Sequence, residues 1–303
     1  MNGNVPSLYP LRPFRTDAWS SGATIVLNRH EVAGQHKGYS ASMTPIHKYP
    51  RTQHIAGSGI QAGDAGLDVV PFSRLAGRHL VVEEKMDGAN CAVSFTPEGK
   101  LLLQSRGHYL TGGPRERQFH LFKAWAGRYQ AELGALLGEH YVMYGEWLYA
   151  KHTIFYTDLP HYFMEFDIYD RQADQFLSTE RRATLLQAAP FVVSVRVLHS
   201  GTVPSLAALQ AMIGRSAFIA DNHQAQLHAA CAENGLDPAQ VQRETDPSWL
   251  MEGLYIKTEE AGRVTGRYKY IRAGFLQTVF DSESHWQERP MLPNRLRAGV
   301  TLF

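Results

Sequence analysis

One alternating segment followed by a turn constrains the fold of this chain more than any other feature. In residues 90–95 apolar and smaller or polar side chains alternate, which is the period of a β-strand with one buried face. Thr-Pro-Glu-Gly-Lys at 96–100 is typical of a turn, and the apolar segment 101–104 returns from it. The pattern predicts a β-hairpin, so the fold must contain antiparallel strands.

Other predicted strands and helices do not alternate regularly along the chain. A helix is predicted after Pro114, because apolar residues follow it at spacings of three and four: Phe122, Trp125, Tyr129, Leu133 and Leu136. Further strands are predicted at 141–146, 162–169, 253–258 and 264–271. Because helices do not separate these strands one by one, we expect an α+β fold with antiparallel sheets flanked by helices, not a doubly wound sheet.

Composition and charge exclude several classes of protein. Apolar residues make up 44% of the 303 residues and charged residues 19%, which is globular composition. The 30 basic and 29 acidic residues nearly cancel, so a nucleic-acid site would have to be a local patch. Two cysteines are too few for a disulfide framework, and neither a secretory signal nor a membrane-spanning stretch is evident. We therefore expect a soluble, cytoplasmic protein.

Residues 84–90, Glu-Lys-Met-Asp-Gly-Ala-Asn, form the first candidate for chemistry. Lys85 ends an apolar strand and Asp-Gly predicts a sharp turn, where a sheet can present the amine to a pocket. Lysine is a nucleophile only when deprotonated, and burial or neighbouring cations favour that form. Alone, the motif is better explained as a surface hairpin with a solvated lysine.

Two later segments carry charges on predicted strands. Residues 252–257, Glu-Gly-Leu-Tyr-Ile-Lys, begin with the carboxylate of Glu252 and end with Lys257. Arg267 and Lys269 are two residues apart, so both side chains point to one face of a strand. Two cations on one face suit a phosphate between them, whereas a solvated edge strand is an equally good explanation of this segment alone.

Two further segments combine carboxylates with glycine or aromatic residues. Glu146 follows Gly145 on a strand, and the glycine allows close approach of a ligand. Phe166 lies in Phe-Met-Glu-Phe-Asp-Ile at 163–168, where a core phenylalanine is the simpler interpretation.

The order of these motifs is more specific than any of them alone. Lys-x-Asp-Gly, Gly-Glu, Phe-Asp-Ile, Glu-Gly-x-x-x-Lys and a final basic strand follow one another between residues 80 and 272. This series resembles the covalent nucleotidyltransferase superfamily of ligases and capping enzymes. Lys85 to Asn90 looks most like the RNA ligase 2 type, because DNA ligases and capping enzymes usually carry arginine where this chain has Asn90.

Upstream segments extend the resemblance. Lys-Tyr-Pro-Arg-Thr-Gln-His at 48–54 and Leu-Thr-Gly-Gly at 110–113 are similar to stand-alone bacterial RNA ligases. Some of those enzymes work beside a polynucleotide kinase-phosphatase, which is therefore an expected partner. RNA ends or a nicked RNA duplex are the substrate that the resemblance implies, and no membrane partner is expected.

The resemblance implies a reaction in three steps. Lys85 matches the lysine that attacks the α-phosphate of ATP to form a lysyl–AMP phosphoramidate. AMP then passes to the 5′-phosphate of an RNA strand. A 3′-hydroxyl finally displaces AMP and forms the phosphodiester.

The same resemblance assigns roles to the other candidates. Glu84 would lie against adenine, Glu146 would hold the ribose hydroxyls, and Phe166 would stack on adenine. Asn90 and Arg106 match polar residues that contact ribose or phosphates.

Charged residues of the last two motifs are assigned to the phosphates. Glu252 matches the carboxylate that serves the catalytic metal, Mg²⁺ or alternatively Mn²⁺, and Lys257 is included among the nucleotide-binding residues. Arg267 and Lys269 match paired cations at the α-phosphate, where they would stabilise developing charge and favour a free amine on Lys85.

Three features depart from the family's pattern. Arg267 stands where the RNA ligase 2 type more often has lysine, which keeps the charge but changes the geometry. Lys257 is five residues from Glu252, so the two point to opposite faces of a flat strand. Thirty-one residues follow Arg272, too few for the oligonucleotide-binding barrel of DNA ligases.

The expected organisation has three parts. Residues 1–45 form an irregular arm, 46–272 a nucleotidyltransferase (adenylation) domain around an ATP pocket, and 273–303 a short tail without a barrel. Within the domain, 177–247 is expected to be a mostly helical insertion.

Two alternatives to an RNA ligase remain open. A DNA nick ligase is disfavoured by Asn90 and the missing barrel. A catalytically silent nucleotide- or RNA-binding module would be expected to lack the nucleophile or the metal carboxylate, and both Lys85 and Glu252 are present. A phosphate-binding loop is not supported, because no Gly-x-x-x-x-Gly-Lys-Ser/Thr occurs.

Overall fold

The structure is a computed structural model that describes residues 45–60, 64, 66–282 and 289–303. The expected irregular arm, apart from residue 45, lies outside the described residues.

Strands dominate the described chain. In order they are β1 (Gln53–Ile55), β2 (Val69–Val70), β3 (Leu80–Lys85), β4 (Ala89–Phe95), β5 (Leu101–Ser105), β6 (Tyr141–Trp147), β7 (Phe163–Asp170), β8 (Gln175–Phe176), β9 (Val193–Ser194), β10 (Val197–Gly201), β11 (Gly253–Glu260) and β12 (Arg263–Ile271).

Helices lie between and outside the strands. They are α1 (His120–Arg128), α2 (Gln130–Leu137), α3 (Thr179–Leu186), α4 (Leu206–Gln210), α5 (His223–Asn234), α6 (Pro238–Arg243) and α7 (Ala273–Asp281). Short 3-10 helices occur at Phe72–Arg74 and Pro114–Phe119. None of the helices in the described ranges is long and apolar enough to cross a membrane.

The strands form two sheets. The first has the order β10-β3-β11-β12-β1-β2, antiparallel except where β1 runs parallel to β12 and β2. The second has the order β5-β4-β6-β7-β8 and is antiparallel, with β9 parallel to β7. The predicted α+β class with antiparallel sheets is confirmed.

Three apolar layers explain how the sheets pack. Between the sheets, Ala92 and Phe166 of the second sheet share a core with Ile271 of the first. The outer face of the second sheet buries side chains such as Val93 against α1 and α2, and the outer face of the first packs Leu254 and its neighbours against α4. Each sheet is therefore covered on both faces, and the space between them can hold a site.

The predicted hairpin forms as β4 and β5, with Val93 opposite Leu103. The helix predicted after Pro114 is interrupted: a 3-10 turn comes first, and the helix then divides into α1 and α2 at Tyr129, whose φ is −104° and ψ 21°. The Tyr129 ring stacks on Phe191 with centroids 4.2 Å apart, a contact from a distant segment that the helical period does not contain.

The expectation of a mostly helical insertion at 177–247 is wrong in two respects. Helices make up less than half of this segment, and strands β9 and β10 pair with both sheets. In particular, Val197 of β10 lies opposite Glu83 of β3. The segment therefore completes the sheets and is not separate from them.

Candidate active site

The Lys-x-Asp-Gly segment connects one sheet to the other. Strand β3 ends at Lys85 in the first sheet, and β4 begins at Ala89 in the second. A Cβ on Gly88 would lie 2.7 Å from the carbonyl oxygen of Trp147, so a larger residue cannot make this crossing without displacing backbone. The motif therefore places Lys85 at the opening between the sheets.

Asp87 fixes the turn through hydrogen bonds with a neighbouring loop. Its carboxylate Oδ2 accepts hydrogen bonds from the backbone amides of Thr153 and Ile154, each at 2.7 Å. Its own amide donates to the Tyr156 hydroxyl at 2.9 Å. The aspartate of the motif is thus a structural clamp for the turn that carries the nucleophile candidate.

A cavity of about 740 Å³ opens beside this turn. It is of the size that proteins use for small ligands. Eight of the ten residues predicted for the site line it: Glu84, Lys85, Asn90, Arg106, Glu146, Phe166, Glu252 and Lys269. Residues separated by more than 180 positions in the chain are therefore brought to one pocket, as the resemblance implies.

The Lys85 amine donates a hydrogen bond to Glu252 Oε2 at 2.8 Å. The side chain of Lys85 is 23% exposed, whereas that of Glu252 is 3% exposed. Gly253 lies directly opposite Lys85 between β11 and β3, and a Cβ there would be 2.0 Å from the carbonyl oxygen of Tyr270. Glycine after Glu252 therefore lets strands β11 and β12 approach closely where the carboxylate meets the amine.

The protonation state of this pair differs from the simple expectation. Burial alone would lower the pKa of Lys85, but the carboxylates of Glu252, Glu146 and Asp87 raise it above its ordinary value. Burial raises the pKa of Glu252 to about 7, against the attraction of Lys85. The expectation that cations favour a free Lys85 amine is therefore not met without ligand, because carboxylates are its nearest charges.

Glu146 and Asn90 face each other across β6 and β4, where they form a register pair. Burial raises the pKa of Glu146 to about 8, partly offset by the positive charges of Lys85 and Arg106. The Oδ1 atom of Asn90 is buried and has no hydrogen-bond partner among the described residues. A ligand hydroxyl group could satisfy these polar atoms.

Glu84 of the first sheet and Phe166 of the second both line the cavity. The Glu84 carboxylate accepts a hydrogen bond from Ser216 Oγ at 2.5 Å, and burial raises its pKa to about 7. Phe166 is 9% exposed and meets Tyr49 edge-on, with ring centroids 5.2 Å apart. An aromatic ring and a protonatable carboxyl group that line one cavity suit a flat, nitrogen-rich ring.

Lys269 of β12 also lines the cavity and is held by Asp64, with 2.5 Å between Nζ and Oδ2. Asp64 is in turn 3.2 Å from Nε2 of His54, which is buried. Burial lowers the pKa of Lys269, against the attraction of Asp64. An anion in the cavity would compete with Asp64 for this cation.

Arg267 and Lys257 do not line the cavity, which corrects their assignment to the nucleotide. The Arg267 guanidinium lies over the Phe176 ring at 3.5 Å and its Nε is 3.2 Å from Asp167. Lys257 is fully buried, and its amine is 2.9 Å from Glu83 and 3.2 Å from Asp167. Carboxylates of β3 and β7 hold these two cations, and neither cation lines the cavity.

These two cations belong to a buried network that the sequence reasoning missed. Arg182 of α3 bridges Glu83 of the first sheet, at 2.9 Å, and Glu165 of the second, at 2.8 Å. Lys257 donates to the carbonyl oxygen of Phe166 as well. The network ties the sheets together and fixes the Phe166 backbone. Two acidic residues at alternate positions in the apolar strand β7 were the signal that could have revealed it.

The donor atoms fit a divalent ion only in combination with a ligand. No group of three or more histidine, cysteine or acidic side chains able to hold a metal occurs in the described part of the chain. Glu252 offers a buried carboxylate at the cavity wall. Mg²⁺ is commonly bound by one or two carboxylates plus substrate phosphates, so Glu252 fits an ion that enters with a nucleotide.

Comparison with protein families identifies the class. Residues 78–271 match the model of the RNA ligase family, which spans nearly two thirds of the chain. The match begins just before β3 and ends with β12, so it contains all ten residues predicted for the site. The chain belongs to the RNA ligase family.

Solved structures give a weaker likeness. Two variants of Naegleria gruberi RNA ligase, one with ATP and Mn and one apo, are each 18% identical, with a TM-score of 0.48 and 69% of this chain covered. A third variant, with AMP and Mn, is 17% identical with a TM-score of 0.46. The match covers 54% of those chains, so this chain aligns with about half their length. No curated protein matches this chain.

Proposed function

We propose that this protein is an ATP-dependent RNA ligase of the RNA ligase 2 type, which joins 5′-phosphate and 3′-hydroxyl ends through lysyl–AMP and AMP–RNA intermediates. One observation carries the proposal. The Lys85 amine lies at the wall of a nucleotide-sized cavity, 2.8 Å from the Glu252 carboxylate, within the part of the chain that matches the RNA ligase family.

In the first step the Lys85 nitrogen attacks the α-phosphorus of ATP. A nitrogen–phosphorus bond forms, the bond to the bridging oxygen of the β-phosphate breaks, and pyrophosphate leaves with the electron pair. The amine must lose a proton before or during attack. Glu252 holds the amine through their hydrogen bond, and the Lys85 side chain is 23% exposed, so its proton can pass to water while the carboxylate stays available for the metal ion.

Adenosine is assigned to the walls that carry Phe166, Glu84, Glu146 and Asn90. Phe166 would stack on the base, and Glu84 would lie beside it. The ribose hydroxyls would donate to Glu146 and to the unpartnered Oδ1 of Asn90. Arg106, exposed at the rim, would contact ribose or phosphate.

Lys269 is assigned to the α-phosphate, which would replace Asp64 as the partner of the Lys269 amine. Mg²⁺ or Mn²⁺ bound at Glu252 would neutralise phosphate charge and favour departure of pyrophosphate. Arg267 and Lys257 are proposed to act indirectly, by holding Asp167 and the Phe166 backbone.

RNA is preferred to DNA as the substrate for a geometric reason. In-line attack by the 3′-hydroxyl tolerates little misplacement, so the sugar of that strand should matter most. A 5′-phosphate strand contributes mainly charge, which DNA also carries. We also propose a cytoplasmic location and cooperation with a polynucleotide kinase-phosphatase, which would prepare the two ends.

Sealing of matched nicks tests this function. Duplexes that differ only in the sugars beside the junction would be incubated with ATP and Mg²⁺, and the joining rate measured. We expect joining when the 3′-hydroxyl strand ends in ribonucleotides, whatever the sugar of the 5′-phosphate strand. Equal sealing of an all-DNA nick would favour the DNA ligase alternative, and failure to join any nick would favour a silent binding module.

A further inference from the structure

The segment from Arg289 to Phe303 packs along the loop that clamps Asp87. The backbone of residues 292–297 exchanges hydrogen bonds with residues 149–159, including Asn294 N to Tyr149 O at 2.8 Å and Arg295 N to Tyr156 O at 2.9 Å. These residues, which belong to the short tail expected at 273–303, therefore pack against the domain. They form a strap over the 149–159 loop.

Asn294 is the central residue of this strap. Its side chain is 1% exposed, and both ends of its amide are used. Nδ2 donates to the carbonyl oxygen of Leu148 at 2.7 Å, and Oδ1 accepts from the amide of Tyr156 at 2.9 Å. A buried side-chain amide satisfied at both ends fixes the backbone that it bridges.

Tyr156 carries this restraint to the nucleophile turn. Its ring is fully buried, and its hydroxyl accepts the hydrogen bond from the Asp87 amide. The same loop supplies the amides of Thr153 and Ile154 to the Asp87 carboxylate. These three hydrogen bonds of Asp87 therefore all come from the segment that the strap holds.

We infer that Asn294 and Tyr156 are positioning residues for Lys85. They hold the loop that clamps Asp87, and so they fix the turn that aims the Lys85 amine. This inference rests on the proposed function, because the benefit of aiming the amine is faster attack on ATP. Neither residue lines the cavity, so neither should contribute to ATP affinity.

The test compares two tyrosines that the strap contacts. Tyr156→Phe removes the acceptor of the Asp87 amide and keeps the ring. Tyr162→Phe is the matched control, because its hydroxyl donates to the carbonyl oxygen of Asn294 at 2.8 Å and has no bond to Asp87. Single-turnover formation of the AMP adduct would be measured over a range of ATP concentrations.

We expect Tyr156→Phe to lower the maximal rate of adduct formation about 10- to 100-fold, since small misplacements of a reacting group are costly. The half-saturating ATP concentration should stay within about twofold, and Tyr162→Phe should keep the wild-type rate. Asn294→Ala should lower the same rate. Combining it with Tyr156→Phe should cost less than the product of the single effects, because both act along one chain of contacts.

Equal maximal rates for Tyr156→Phe and the wild type would overturn the inference, and so would equal losses of rate in both tyrosine variants. A change in the half-saturating ATP concentration alone would also overturn it. Hydrogen exchange at the Asp87 amide separates this result from failure of the proposed function. Faster exchange in Tyr156→Phe alone supports the chain of contacts even if the wild type forms no adduct, an outcome that would refute the ligase. Unchanged exchange refutes the chain of contacts whatever the adduct shows.

Discussion

Two lysines on neighbouring strands of one sheet have opposite environments. Lys85 ends β3 beside the cavity, is 23% exposed and has a single hydrogen-bond partner among the described residues, Glu252. Lys257 on β11 is fully buried between Glu83, Asp167 and the Phe166 carbonyl oxygen. An amine with several fixed partners stabilises the fold, whereas an amine with a single partner at a cavity can react with a bound ligand.

The pKa values of the carboxylates in the two regions also differ, although Glu83 is an exception. On the cavity side burial dominates and raises the pKa values of Glu146 and Glu252 to about 8 and about 7. In the buried network Lys257, Arg267 and Arg182 outweigh burial and lower the pKa of Asp167. Glu83 in that network keeps a raised pKa, because burial outweighs its two cations. Nearby cations therefore offset the effect of burial on the pKa more fully for Asp167 than for Glu146 and Glu252.

The largest effect should come from the buried lysine. Lys257→Met leaves Glu83 and Asp167 without their shared cation, and breaking such a buried pair costs about 3–5 kcal/mol of unfolding free energy. Lys85→Met should cost much less, because Glu252 faces the cavity and can take up a proton. Denaturant unfolding of both variants checks this difference. Equal losses would contradict the distinction between the two regions.

The next effect concerns rate. Lys269→Ala should slow formation of the AMP adduct about 10²- to 10³-fold, because it removes a preorganised stabiliser of charge at the α-phosphate. Lys269→Arg should restore only part of the rate, since the planar fork differs from a point charge. Lys100→Ala, in the exposed hairpin turn, is the control. Single-turnover rates measure all three, and a normal rate for Lys269→Ala would exclude this cation from the reaction.

A smaller effect is expected in the pH dependence of stability. The folded-state pKa of Glu84 is about 7, above its ordinary 4.5, so the folded protein binds the extra proton between these values. Stability should therefore fall as pH rises from about 4.5 to 7, by about 1.4 kcal/mol per pKa unit at most. Glu84→Gln should remove this part of the decline. The unfolding free energy would be measured at pH 5 and 7.5 for the wild type and for Glu84→Gln. An equal change between the two pH values in both proteins would contradict the raised pKa.

The sequence predicts best those features that depend on local periods or on motif order. The β4–β5 hairpin follows from alternation and a turn, and the gathering of Lys85, Glu252 and Glu146 follows from the motif series. The direction of the Arg267 side chain could not be predicted, because it depends on Asp167 of another sheet.

Contacts between distant segments account for the other differences. The break between α1 and α2 at Tyr129 accompanies stacking on Phe191, and the strap depends on Asn294 meeting Tyr156 across 138 positions. Neither contact leaves a periodic pattern in either segment. Such contacts become visible only when the packed chain is known.

We propose that Lys85, and not one of the other lysines near the cavity, is the nucleophile. The most direct measurement is to incubate the protein with ATP and Mg²⁺ without RNA and to map any covalent AMP by peptide mass. We predict one AMP on the peptide that contains Lys85 and none on Lys257 or Lys269. An adduct on another lysine, one that persists in Lys85→Ala, or no adduct with either Mg²⁺ or Mn²⁺ would exclude Lys85 as the nucleophile.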